Sequence, residues 1–234
     1  MTQIKHIAIK ELKDYFTSPI AYIVISIFLI VTGWFFFSTF FLYNRASMRD
    51  FFLLLPTIFS FIIPAITMRL LSEEMNVGSY ETLLTMPVSL TDIAIGKFLG
   101  ASLFVVAMLI PTMIYPVSIS FLGDIAFAPV AGGYIGAFFL GSAYCAVGVF
   151  ASSLTRNQII AFIVGAAICF TLTIMDRLLF FVPAALTSIV EYIGANSHFV
   201  NISKGVIDSR DIVYFLSVIF IALFGTYLVM KQKN

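Results

Sequence analysis

The sequence predicts an all-α polytopic membrane protein with six transmembrane helices, and three observations carry that prediction. Hydrophobic residues fill 61% of the 234 positions and charged ones only 11%, a balance found in chains solvated by lipid rather than water. Between successive Asp, Glu, Lys and Arg lie six long uncharged runs: 15–44, 51–68, 98–123, 125–155, 157–175 and 212–230. Each reaches the length of about 17 to 25 residues that a helix needs to cross a hydrocarbon core about 30 Å thick. The next longest run, 178–190, falls short. It is expected to lie along the outer membrane surface or dip into it.

The elements follow in order. Residues 2–18 are expected to form an interfacial helix: Ile4, Ile7, Ala8, Leu12, Tyr15 and Phe16 share one helical face, with Lys5, Lys10, Glu11, Lys13 and Asp14 mostly off it. That pattern suits a helix lying among lipid headgroups. Ser18-Pro19 punctuates it, since proline restricts the residue before it and commonly opens the next helix. Span one, 20–42, is dense in Ile, Val and Phe and contains Trp34. Its uncharged run begins after residue 14 and is too long for the apolar core of a signal peptide, so it reads as a retained span.

Span two, 51–70, holds Pro56 and Pro64, which loosen the hydrogen-bond ladder and bend a membrane helix. Span three, 98–122, holds Pro111 and Pro116, and Gly123-Asp124 makes the outer turn. Span four, 129–153, carries Gly133, Ala137, Gly141 and Cys145 at four-residue intervals, a helix-packing stripe that lets another helix approach closely. The spacing serves packing within the chain and packing against a second subunit equally. After a short turn at 154–158 comes span five, 159–175. The outer insert 177–211 is too long for an idle connection and is expected to hold a re-entrant or interfacial segment. Span six, 212–230, ends at Lys231-Gln232-Lys233.

Six spans place both termini on one side. Lys5, Lys10, Lys13, Arg69, Lys97, Arg156, Lys231 and Lys233 fall on that side, against Arg45, Arg49, Arg177, Lys204 and Arg210 on the other. The excess of positive charge points the termini and the 69–97 stretch to the cytoplasm.

Several chemistries are poorly served by this composition. His6 and His198 are the two histidines, too few for a His-based zinc site or triad. Gly96-Lys97 is followed by Phe98 and lacks the first glycine of a phosphate-binding loop, so the chain is not its own ATPase by that route. No catalytic residue, bound cofactor or metal is expected. An ion-coupled carrier usually places ionisable groups within its spans, and the six runs contain none. The nine methionines are scattered and read as packing material rather than a copper path. Cys145 and Cys169 lie inside predicted spans, where cysteine behaves as a small apolar residue. A net charge of +1 gives no sign of a nucleic-acid partner.

The informative segment is 69–97, where Arg69, Glu73, Glu74, Glu81, Asp92 and Lys97 are concentrated. Each such charge near mid-membrane would cost about 2.5 to 3.5 kcal/mol, so the stretch belongs in water between spans two and three. Its pattern predicts two short helices. Ser72 would cap the first, favoured by Glu73 and Glu74, and Gly78 would end it. Residues 79–86 would form the second, stopped by Pro87. Leu83, Leu84 and Met86 would be costly to leave exposed together, so a partner surface is expected to cover them.

These residues resemble a known family. Ile63-Pro64-Ala65-Ile66-Thr67-Met68-Arg69, Ser72-Glu73-Glu74, the run from Gly78 through Ser89, and Gly96-Lys97-Phe98-Leu99-Gly100 are similar to the ABC-2 type permease subunits. Within them they are most similar to the gliding-motility-associated permeases. Further matches are Leu109-Ile110-Pro111-Thr112, Tyr134-Ile135-Gly136, Gly148 through Gln158, and Lys204-Gly205 with Asp208 through Asp211. Ser79 stands where threonine is common, a conservative departure.

The resemblance implies a type V exporter-like fold with a coupling helix within 72–96 and an outer re-entrant region between spans five and six. It implies an inner-membrane permease worked by a dimer of ATPase subunits, which would hold the ATP and magnesium. A second permease, identical or homologous, would complete the membrane part, with room for a periplasmic accessory protein. Glu73, Glu74, Gly78, Glu81, Leu83, Leu84 and Pro87 would contact the ATPase. A non-transporting membrane anchor and an ion-coupled carrier stay open as other readings.

Overall fold

The structure, a computed structural model, describes residues 2–43, 47–78, 88–121, 123, 126–178, 183, 187–206 and 208–233. Among them there is no strand. The helices are α1 (Thr2–Thr17), α2 (Pro19–Tyr43), α3 (Arg49–Thr67), α4 (Arg69–Val77), α5 (Leu90–Leu109), a 3-10 turn (Ile110–Met113), α6 (Ile114–Ser120), α7 (Phe127–Leu154), α8 (Gln158–Leu178), α9 (Thr187–Ile193), α10 (Ala195–Ser203) and α11 (Ser209–Gln232). Six stretches are long and apolar enough to cross a membrane: 19–38, 49–77, 90–120, 127–154, 158–178 and 209–232. The all-α, six-span class expected from the uncharged runs is what the structure has.

Span four, α7, is the axis of the bundle. Helices α3, α5, α8, α10 and α11 all pack on it, and small residues allow this. A Cβ built on Gly133 would stand 2.2 Å from the Phe52 ring of α3, and one on Gly141 would stand 2.7 Å from Val105 Cγ1 of α5. Ala137 and Cys145, in the same register, are buried. The stripe is therefore filled from within the chain. Span one is the opposite case: α2 touches α1 and α3 and turns Ile23, Ile27, Ile30 and Trp34 outward, as a lipid-facing helix does.

The prolines mark the irregularities. Pro111 falls in the 3-10 turn that joins α5 to α6, and Pro64 sits four residues before the break between α3 and α4 at Met68. A proline lacks the N–H and crowds the preceding turn, so the ladder yields near it.

The 69–97 stretch departs from expectation. Residues 69–77 are not a separate helix capped by Ser72 but the continuation of span two after the one-residue break at Met68. Ser72 lies inside α4, fully buried, its hydroxyl donating to the Met68 carbonyl. The helix that carries span three begins at Leu90, ahead of the uncharged run that starts at residue 98, with Ser89 as its cap: Ser89 Oγ accepts from the Asp92 N–H at 3.1 Å. Charge ends a membrane crossing but not a helix, because the backbone ladder needs only the next residues' N–H groups. Gly78 does end α4, in the left-handed region at φ 80°. The expected second helix, with Glu81, Leu83, Leu84 and Pro87, lies outside the described residues.

Candidate functional site

At one end of the bundle, charged residues from three elements converge on Lys97. Helix α1 lies along the start of α5 because Gly96 and Gly100 leave a track for it. A Cβ on Gly96 would stand 2.7 Å from Ile7 Cβ, and one on Gly100 would stand 2.7 Å from Glu11 Cβ. Between those glycines Lys97 points inward, 1% exposed. Its Nζ donates to Glu11 Oε1 of α1 and to Glu74 Oε1 of α4, each at 2.7 Å. Removing an ammonium from water costs several kcal/mol, and paired charge-assisted hydrogen bonds offset that cost. The result ties the N-terminal helix, the end of span two and the start of span three into one block.

Neighbouring contacts extend the block. The Tyr15 hydroxyl donates to the Ile66 carbonyl at 3.1 Å, and the Arg69 guanidinium lies 5.0 Å from the centre of the Tyr15 ring, a cation–π arrangement. Burial pushes the Tyr15 phenol well above its ordinary pKa, which keeps it a neutral donor. From the C-terminus, Lys233 Nζ donates to the carbonyls of Ser153 at 2.7 Å and Leu154 at 3.1 Å, covering the bare carbonyl end of α7. Desolvation there, and then the Arg156 charge, hold the Lys233 ammonium below the usual lysine range. A shallow recess of about 260 Å³ opens on this face, lined by Lys10, Asp14, Arg69 and Glu73 together with the Lys97 cluster.

The predicted contact residues divide here. Glu73 is exposed, and Val77 and Gly78 beyond it are exposed as well. Glu74 is half-buried and turns inward, its Oε1 held by Lys97. Glu11, expected mostly off the apolar face of α1, is a correction, being 9% exposed. Its place follows from spacing: 4, 7, 8, 11 and 15 form one helical stripe, so a carboxylate in that stripe needed a buried cation. Lys97 gave a signal too, a lone charge between two glycines four residues apart.

The opposite end holds a second polar cluster. His198 is buried. Its Nδ1 stands 2.7 Å from Asp211 Oδ1 and its Nε2 3.0 Å from the Tyr192 carbonyl oxygen. The ring stacks on Tyr214 with centroids 4.1 Å apart. The cluster fastens α10 to the first turn of span six and borders a polar cavity of about 520 Å³. Among the described residues no group of His, Cys, Asp or Glu is arranged to hold a metal ion.

A family model described as ABC-2 family transporter protein matches residues 6–204, from α1 through α10. The chain belongs to the ABC-2 transporter family. It is thus a multi-pass membrane component of the ABC-2 type, in a family whose membrane domains are typically non-catalytic and whose membership implies an ABC ATPase as partner. In this ABC-2 chain the matched stretch takes in the whole Lys97 cluster, while α11, which receives His198 through Asp211, lies beyond it. No curated protein matches the chain significantly.

Proposed function

We propose that this chain is the permease subunit of an ABC exporter or mechanotransmission complex, set in the cytoplasmic membrane with both termini in the cytoplasm. The observation that carries the proposal is the Lys97 clamp. Spans two and three both continue as helix beyond their apolar parts, and the clamp locks these extensions to each other and to α1. A push delivered between Gly78 and Ser89 therefore meets a stiff lever rather than a slack loop.

Glu73, Glu74, Gly78, Glu81, Leu83, Leu84 and Pro87 form the docking stretch in this reading, with the apolar pair Leu83 and Leu84 seated in a groove of the ATPase. The ATPase binds ATP and magnesium and supplies the work as a dimer, each copy under one of two permease subunits. The likeness to gliding-associated permeases belongs to the same proposal, as does an accessory protein on the far side.

Affinity purification of the tagged chain from its native membrane tests the docking stretch. The ATPase is expected to copurify with the parent chain, and Leu84→Asp is expected to lower its recovery at least tenfold. Equal recovery with Leu84→Asp and Glu81→Lys would remove the docking role.

A further inference from the structure

Span two is interrupted at one residue, Met68: its backbone stays right-handed and its N–H still donates to the Pro64 carbonyl at 2.9 Å, but the backbone groups that follow take partners from outside the helix. Ser152 Oγ, carried by α7, accepts from the backbone N–H groups of Leu71 and Ser72, each at 3.0 Å, and donates to the Met68 carbonyl at 2.7 Å. One hydroxyl offers one donor and two acceptor positions, so the whole capacity of Ser152 is spent on the start of α4. The Ser72 hydroxyl donates to the same carbonyl, and the Tyr15 hydroxyl takes up the Ile66 carbonyl. Gly148, one turn before Ser152, brings bare backbone against this point: a Cβ there would stand 1.9 Å from Thr67 Oγ1.

In an unbroken helix these backbone groups would be locked to partners four residues away. Side-chain partners give the Leu71 and Ser72 N–H groups and the Met68 carbonyl a second set of hydrogen bonds, and such compensation is what lets a membrane helix bend at a single place. On the far side of the break, α4 is clamped through Glu74 to Lys97, so it can move only together with α1 and α5. Resting on the coupling reading above, we infer that Met68 is a joint and Ser152 its positioning residue, the pivot about which the α1–α4–α5 block tilts against span four when the ATPase cycles.

The test uses the complex of this chain with its copurifying ATPase, spin-labelled at Asn76→Cys and Arg156→Cys, both exposed positions. The label-to-label distance is measured without nucleotide and after trapping with Mg-ATP and vanadate. The expected result is a nucleotide-dependent shift in the parent. Ser153→Ala should keep it, since that hydroxyl donates within its own helix to the Phe150 carbonyl, and Ser152→Thr should keep it as well. Ser152→Ala should broaden the distribution and abolish the shift while the ATPase stays bound.

A shift in Ser152→Ala equal to that in Ser153→Ala would overturn the inference. So would a static distance in a parent complex that binds and hydrolyses ATP. If Ser152→Ala does not assemble, the parent and Ser152→Thr decide: a shift in both supports the joint, and a static parent overturns it. Absence of any copurifying ATPase would sink the coupling reading and the joint with it, an outcome distinct from a hydrolysing complex that does not move.

Discussion

Lys97 shows how far one side chain governs this molecule. Two carboxylates and one ammonium are sealed together, with Lys97 1% and Glu11 9% exposed, so the balance is sensitive to removing any member. Replacing the cation leaves Glu11 and Glu74 facing each other without it, and breaking a buried pair in this way costs about 3–5 kcal/mol. Lys97→Met should therefore lower the thermal midpoint of the detergent-solubilised protein sharply. The triple variant Lys97→Met, Glu11→Gln, Glu74→Gln should recover most of the loss, because neutral partners carry no desolvated charge. Fluorescence-detected size-exclusion after heating reads both, and a triple variant no better than the single one would contradict the account. His198 makes a parallel case at the other end. His198→Phe keeps a stacking ring over Tyr214 but strips Asp211 Oδ1 and the Tyr192 carbonyl of their partner. Leaving buried acceptors unpaired costs about 1–3 kcal/mol each, so it should destabilise more than Tyr214→Phe, which gives up one hydrogen bond to the Ile193 carbonyl.

At the scale of elements, close helix approaches run through glycines on α7 and α5. Gly148→Ala would drive a methyl group into Thr67 Oγ1, 1.9 Å away, and overpacking of a tight core costs about 1–3 kcal/mol. Thr67→Ala in the same chain should restore part of that stability, and a double variant as weak as Gly148→Ala alone would show that the clash lies elsewhere. The same elements show what could be read in advance. The uncharged runs disclosed the six spans because lipid excludes charge in every helix alike. The four-residue stripe at Gly133, Ala137, Gly141 and Cys145 disclosed a packing face, but its partner, Phe52 and Val105 of the same chain, depends on tertiary arrangement that spacing does not encode. The helix ends depart from the uncharged runs for a related reason: charges at Glu73, Glu74 and Lys97 mark where lipid stops, while the helical ladder runs on past them. The clamp is not legible because Glu11, Glu74 and Lys97 are far apart in sequence: the stripe that holds Glu11 and the glycines that flank Lys97 mark each charge without showing which charges meet.

For the whole molecule, the two ends of the bundle are chemically unlike. One gathers α1, α4, the start of α5, the α7–α8 turn and the C-terminus around Lys97 and Lys233. The other gathers α9, α10 and the start of α11 around His198 and Asp211. Between them lie spans with buried hydroxyls, several of them paired with each other or with backbone, as Tyr144 is with Thr173 at 2.6 Å, and such pairs do not oppose residence in lipid. This division fixes which positions must share a compartment, whichever way the protein is inserted. Cysteines at Asn76 and Arg156 should react with a membrane-impermeant maleimide from one side, and a cysteine at Asn201 from the other. The excess of Lys and Arg at the Lys97 end further predicts that Asn76→Cys and Arg156→Cys are protected in intact cells and labelled in inverted membrane vesicles, with Asn201→Cys showing the reverse. Cys145 and Cys169 are buried and should stay silent in both preparations. Labelling of 76 and 201 from the same side would break the six-span arrangement itself. Labelling of 76 only from outside the cell would leave the arrangement standing but place the Lys97 end away from any cytoplasmic ATPase, and the coupling proposal would fall with it.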